Sequence, residues 1–213
     1  MKFKLVFFDC DGVLHPDITW TRLHRAVGLP EGLRIQWFNE YYSGKISHTQ
    51  WLTNIENYYL KRSLTRSFFE KTLTGFEINP EAFPLIDYLK EKKIKTAVIS
   101  GGIDYYVKPI ARELGFNFWR ANYTFSFDRK GKFKRINYRG DEEKMKIAGI
   151  KEICQQLKIK PTQTIFVGDS INDRKAFELT KHGVLYKTED DFLRKIAWKT
   201  IKNLSEIKDL LEN

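Results

Sequence analysis

Apolar residues fall along the 213-residue chain in two kinds of pattern. The first is a short unbroken run that ends in polar residues: KLVFFDC at 4–10, TAVISGG at 96–102 and TIFVGD at 164–169, with the shorter GVLY at 183–186 and TIKN at 200–203. Runs without polar alternation suit strands covered on both faces, as in a parallel sheet. The second pattern has helical spacing and fills 80–92 after Asn79-Pro80, 103–114 ending at Gly115, 142–158, 171–181 and 190–198. A last amphipathic helix follows a cap at Asn203 or Ser205. The alternation predicts an α/β fold with a doubly wound, Rossmann-like parallel sheet core.

Two stretches interrupt it. Residues 15–75 hold no central-strand run; Trp51, Ile55, Tyr58 and Tyr59 recur with helical spacing after Ser47, and Pro30, Gly44 and Gly75 punctuate the segment. A small helical cap inserted after the first strand is expected here, which leaves residues 1–14 and 76–213 as the core. Its aromatics, Trp20, Trp37, Trp51, Tyr41, Tyr42, Tyr58 and Tyr59, are expected mostly to form the core of that unit, with one or two lining a pocket. The other stretch, FWRANYTFSFDRKGKFKRINY, reads as a β-hairpin turning at Asp128–Gly131.

With 42% hydrophobic and 15% aromatic residues, the chain belongs among packed globular proteins rather than disordered ones. Two cysteines, Cys10 and Cys154, make no disulfide framework and are expected to be buried packing residues. The four histidines, His15, His24, His48 and His182, lack metal-ligand spacing. No signal-peptide pattern opens the chain and no apolar run nears membrane-spanning length, so the expectation is a cytoplasmic protein with no membrane partner. The net charge of +10 invites a nucleic-acid reading. Its basic residues are nevertheless spread over the whole chain and mixed with acids, as in DEEKMK, which argues for solvated helix faces instead.

The chemistry concentrates where the strand runs end, and in open parallel sheets ligands bind beyond the carboxyl ends of strands. The first run delivers Asp9 and Asp11, the second Ser100, Gly101 and Gly102, the third Asp169, Asn172 and Asp173. Carboxylates from separate strand ends make a hard oxygen site suited to Mg²⁺. An Asp can attack a phosphoryl group and carry it as an aspartyl phosphate, and a second Asp two residues on can serve the leaving group as an acid. The amides of Gly101 and Gly102 beside Ser100, at a helix start, suit a phosphate. A cation is still required, and Lys144, Lys146 and Lys151 lie on the helix before the third strand.

The segments Asp9-Cys10-Asp11-Gly12-Val13, Ser100-Gly101-Gly102 and Gly168-Asp169-Ser170-Ile171-Asn172-Asp173, in this order and spacing, resemble the motifs of the haloacid dehalogenase-like hydrolase superfamily, in particular its phosphoserine-phosphatase-like branch. That resemblance implies a Mg²⁺-dependent phosphatase acting on a small phosphorylated metabolite, with Asp9 as nucleophile and Asp11 as general acid and base. It further implies that Ser100, Gly101 and Asn172 bind phosphate, and that Asp169 is a metal ligand beside Asp9 and the Asp11 carbonyl. Asp173 is a supporting residue. The branch places its lone lysine a little over twenty residues before the GD aspartate; Lys146 lies 23 residues before Asp169 and is favoured over Lys144. The same fold supports dehalogenation, against which Asp11 argues, and phosphotransfer; a basic nucleic-acid-binding module without hydrolysis is the rival outside enzyme chemistry.

Substrate choice is a separate matter. The branch sets a Glu soon after its first motif and an Arg in the cap to hold a substrate's amino and carboxylate groups. Here the nearest acid is Asp17, no Glu precedes Glu31, and Arg22, Arg25, Arg34, Arg62 and Arg66 match no motif.

Overall fold

The computed structural model describes residues 2–188 and 190–212. In it β1 (Leu5–Phe8) is followed by α1 (Thr19–Ala26), α2 (Glu31–Tyr42), α3 (His48–Lys61), α4 (Arg66–Leu73) and α5 (Ala82–Glu91). Then come β2 (Lys95–Ile103), α6 (Asp104–Glu113), β3 (Phe118–Phe127), β4 (Phe133–Tyr138) and α7 (Glu142–Leu157). The chain closes with β5 (Thr164–Gly168), α8 (Arg174–Thr180), β6 (Gly183–Tyr186), α9 (Asp191–Ile196), β7 (Lys199–Ile201) and α10 (Ile207–Glu212).

The strands form one sheet in the order β4-β3-β2-β1-β5-β6-β7, parallel except for the antiparallel β3–β4 pair. Side chains alternate across each strand, and here both faces are covered. Leu5, Phe7, Ala97, Ile99, Phe166 and Leu185 pack with Ile150 and Ile153 of α7 and Phe177 of α8. Val6, Phe8, Val98, Ile165 and Val167 face Leu85 and Leu89 of α5 and Val107 and Ile110 of α6. Two covered faces are why the runs read as continuously apolar; each such side chain contributes about 1.5–3 kcal/mol on leaving water.

The expected elements are present, with three local differences. The helix expected over 171–181 opens as a 3₁₀ turn at Ile171–Asp173 before α8 begins. The one expected over 190–198 stops at Ile196, because Ala197 is extended (ψ 140°) and leads into β7. The hairpin does turn at Asp128–Gly131, where the Asp128 amide bonds the Lys132 carbonyl at 2.8 Å. Its first arm also pairs in parallel with β2 from Phe118 to Tyr123, so the hairpin extends the main sheet.

Four helices, α1 to α4, lie between β1 and α5. Ser47 caps α3 in a reciprocal capping box with Gln50, and Thr65 caps α4 through the Phe68 amide. This insertion docks on the hairpin. The Arg66 amide donates to the Gly131 carbonyl (2.7 Å) and the Phe133 amide to the Leu64 carbonyl (2.9 Å). Rings reinforce the contact: Phe69 stacks on Phe125 at 4.6 Å, and Trp20 meets Tyr123 edge-on at 4.9 Å. Helix α2 differs from its neighbours in having no fully buried residue. Among the described residues no helix is long and apolar enough to cross a membrane.

Candidate active site

β1 is the central strand from which the chain first steps to β2 on one side and later to β5 on the other. The ends of these three strands therefore open into one crevice, the position where α/β sheets bind ligands. Asp9 continues β1 by one residue, its amide bonded to the Val167 carbonyl at 2.9 Å. Its carboxylate is held at both oxygens, Oδ1 by the Cys10 amide (2.6 Å) and Oδ2 by the Lys146 ammonium (2.7 Å). Cys10 points the other way and is buried, as is Cys154.

Lys146 has 0% of its side chain exposed and also donates to Asn172 Oδ1 (2.6 Å) and Asp173 Oδ1 (2.5 Å). Burial alone would push this ammonium down, but Asp173 and Asp9 beside it hold it well above the ordinary lysine range. Lys144, by contrast, is 77% exposed and pairs with Asp141. Asp173 Oδ2 accepts the amides of Asp169 (3.1 Å) and Ser170 (3.2 Å), so both of its oxygens are engaged in holding the β5 turn around the lysine.

Asp9, Asp169 and Asp173 bring carboxylate oxygens within 4.8 Å of one another. Burial, followed by the charges of Asp173 and Asp9, raises the Asp169 carboxyl to about 8. A crowded carboxylate set with too little positive charge is the environment a hard divalent cation relieves, so the residues present fit one. Gly12 completes the recess. It has φ +76°, and a Cβ there would fall 2.0 Å from Asp169 Oδ2. That turn needs glycine both for its backbone angle and for the approach of Asp169.

Asp11 lies apart from this set. Thr19 at the start of α1 holds its carboxylate, donating from Oγ1 to Oδ1 (2.7 Å) and from its amide to Oδ2 (3.2 Å). Burial raises the Asp11 carboxyl to about 7, although the Thr19 hydroxyl opposes the shift. Ser100 is buried at the end of β2, where its Oγ accepts the Gly102 amide at 3.0 Å. Gly101 and Gly102 follow, with α6 starting at Asp104.

Two residues of the crevice carry no individual signal in the sequence. Thr19 is eight positions from Asp11 and becomes its partner only through the turn into α1. Glu142, at the start of α7, accepts from the Asn172 side chain (2.7 Å), and burial raises its carboxyl to about 7. Its spacing of four residues from Lys146 does place the two on one helix face, and that was the available clue. His15 is buried with Nδ1 2.7 Å from the Glu77 carbonyl, and His24 is bonded to the Tyr59 hydroxyl at 2.8 Å.

Above the carboxylates the insertion roofs a cavity of about 350 Å³. Trp20, Trp37, Tyr42 and Trp51 all line it, more of the aromatics than the sequence reading assigned to a pocket. Trp20 and Trp51 do both jobs, since they are buried in the core as well as lining the cavity.

A parallel sheet whose central strand ends in DxD, tied through one buried lysine to a GDxxND end and flanked on its other side by a Ser-Gly-Gly end, defines a hydrolase of the haloacid dehalogenase-like class. The family model for haloacid dehalogenase-like hydrolase matches residues 3–179, and the chain belongs to that family. It is similar to a phosphoserine phosphatase of Methanocaldococcus jannaschii, 29% identical over 185 residues that cover 83% of this chain and 82% of that protein. A phosphoserine phosphatase of Polaromonas sp. is 33% identical over 119 residues, 54% of this chain and 50% of the relative. The chain thus spans about half the length of some curated relatives it matches, the Archaeoglobus fulgidus phosphoserine phosphatase among them at 53%. Among solved structures, a phospho-aspartyl intermediate analogue of phosphoserine phosphatase superposes with a TM-score of 0.81 at 25% identity, covering 99% of each chain.

Proposed function

We propose that the protein is a Mg²⁺-dependent phosphatase that hydrolyses a small phosphate monoester through an aspartyl phosphate on Asp9. The observation that carries this reading is the Asp9 carboxylate fixed at a strand end by Lys146 and the Cys10 amide, facing the Ser100-Gly101-Gly102 turn across one crevice. The phosphatase names of its relatives support it.

In this reading an Asp9 oxygen attacks phosphorus and the bond from phosphorus to the ester oxygen breaks. Asp11 gives that oxygen its proton; a carboxyl raised to about 7 is part protonated near neutrality and suits an acid that afterwards acts as a base. Water, losing a proton to Asp11, then attacks the aspartyl phosphate, and inorganic phosphate leaves with Asp9 restored. Ser100 and the Gly101 amide hold phosphate oxygens, Asn172 positions them, and Lys146 fixes the nucleophile while adding positive charge.

Asp9, Asp169 and the Asp11 main-chain carbonyl would hold Mg²⁺, with Asp173 tied to Lys146 and to the amides of the β5 turn. The cation, when bound, offsets repulsion between the carboxylates and the anionic ester. Residues 15–75 act as a cap that keeps bulk water from the reacting atoms, over a core of 1–14 and 76–213.

Asp9→Asn tests the proposal directly. Hydrolysis of p-nitrophenyl phosphate should fall by at least about a thousandfold, in the range seen when a nucleophile is removed. Turnover at the wild-type rate by the purified variant would overturn the assignment.

A further inference from the structure

Phosphate chemistry occupies only the floor of the cavity; the rest of its wall is available to recognise the alcohol part of the ester. Six side chains give that wall its character: Ile18 just before α1, Ile35, Trp37 and Phe38 on α2, and Trp51 and Ile55 on α3. Three are unusually open for apolar residues, Ile18 at 58%, Ile35 at 43% and Phe38 at 41%. Helix α2, which supplies Ile35, Trp37 and Phe38, buries none of its residues completely. Ile35 and Phe38 thus lack a full partner in the fold, and they line the recess that ends at Asp9 and Ser100.

The charges present leave nothing to read a zwitterion. Of the five arginines in the insertion, Arg34 alone lines the cavity, and its fork is engaged by Glu31 at 3.1 Å from Nε and 2.6 Å from Nη2. His24 also lines it, but burial lowers its pKa to about 3, so the ring is neutral, and Nδ1 is already bonded to Tyr59. The lining carboxylates, Asp9, Asp11, Glu142 and Asp169, sit at the floor with the catalytic groups. A substrate ammonium in the upper cavity would lose its water and meet no carboxylate there, and a substrate carboxylate would have to draw Arg34 from Glu31, because the unpartnered donor of that wall, Trp20 Nε1, is neutral.

We infer that the substrate is a phosphate monoester of an uncharged, predominantly apolar alcohol, whose hydrocarbon portion fills the space between α2 and α3, and not a phosphorylated amino acid. This rests on the phosphatase reading above and narrows it. Apolar contact of this kind acts on binding, so it governs KM while the chemical step stays with the floor residues.

A series of linear alkyl phosphates from ethyl to octyl, assayed for phosphate release with Mg²⁺, tests it, because the leaving alcohols are chemically alike. KM should fall about three- to fourfold per methylene until the cavity is full, the effect of removing one CH₂ from water. Phosphoserine should turn over at least tenfold less efficiently than hexyl phosphate. Propyl phosphate and phosphoethanolamine form a near-isosteric pair; the wild type should favour the former, and Ile18→Glu, at an open position that tolerates charge, should reverse the ratio.

Chain-length independence, or phosphoserine matching hexyl phosphate, overturns the inference while leaving the phosphatase intact. If no ester is hydrolysed, the phosphatase reading fails separately. Binding of alkylphosphonates, followed by the fluorescence of Trp37 and Trp51, then decides the cavity's preference: affinity rising with chain length sustains it and a flat series refutes it.

Discussion

Replacing Lys146 with Met keeps an unbranched apolar stem in the core and removes one buried charge. In the native protein that ammonium touches Asp9 and Asp173 at 2.7 and 2.5 Å with neither side chain more than 5% exposed. Without it two carboxylates remain facing each other out of water, with Asp169 close by. Breaking a buried ion pair from one side costs about 3–5 kcal/mol. For a domain of this size that corresponds to a fall in Tm of roughly 10 °C, at about 2–4 °C per kcal/mol. The cost should depend on pH with a defined sign. Asp173 already sits near 6, mainly through burial, and loss of the lysine raises it further. Below that value it is protonated and the stranded charge disappears, so the penalty is largest at pH 8 and shrinks by about 1.4 kcal/mol per unit as pH falls through the titration. Urea unfolding of metal-free wild type and variant at pH 5.5 and 8 reads both quantities. Adding Asp173→Asn to Lys146→Met should recover about 1–2 kcal/mol at pH 8, whereas Asp173→Asn alone destabilises. A loss under about 1 kcal/mol that is the same at both pH values would refute the reasoning, since the lysine would then not be neutralising the carboxylates.

Three other outcomes follow from the same geometry. Magnesium and protons should compete for Asp169: because its carboxyl is raised to about 8, the metal-free fold binds extra protons and loses stability as pH rises from the ordinary aspartate range towards 8. Added Mg²⁺ should therefore lift Tm more at pH 8 than at pH 6, and an equal lift would count against Asp169 as a ligand. Gly12→Ala, which drives a Cβ onto Asp169 at a left-handed turn, should weaken Mg²⁺ binding at least tenfold by calorimetry; unchanged affinity would mean the turn can give way. Thr19→Val removes the hydroxyl that orients Asp11 and should lower kcat about tenfold and shift the pH profile of kcat upward, because that hydrogen bond opposes the rise in the Asp11 pKa; an unmoved profile would show that Thr19 is structural.

Much of the core was legible because its signals are local. A strand buried on two faces must be apolar at successive positions, so LVFF, TAVIS and TIFVG announce themselves without knowledge of their neighbours. Each run also ends in the residues that the crevice uses, Asp9, Ser100 and Asp169, because the chemistry is placed where a strand stops. The spacing of Lys146 from Asp169 could be read in the same way once the family pattern was in hand. Reading failed where a residue's environment is made by chain far away. That the first arm of the hairpin is also a parallel strand of the main sheet depends on β2, which lies earlier in the chain. Thr19 and Glu142 hold Asp11 and Asn172 only because α1 and α7 both start at the crevice.

The sequence by itself therefore determined the fold class and which strand ends carry the carboxylates and the glycine turn, since both follow from residue type and short-range spacing. Tertiary structure decided which lysine is the buried one, which carboxylates crowd together and what the insertion offers a substrate. Composition cannot tell an aromatic side chain that fills a core from one that walls a cavity, as both are apolar and both occur at helical spacing. The difference is what the fold sets against the ring: Phe69 is stacked on Phe125, whereas Phe38 on α2 stays open and lines the cavity that reaches Asp9.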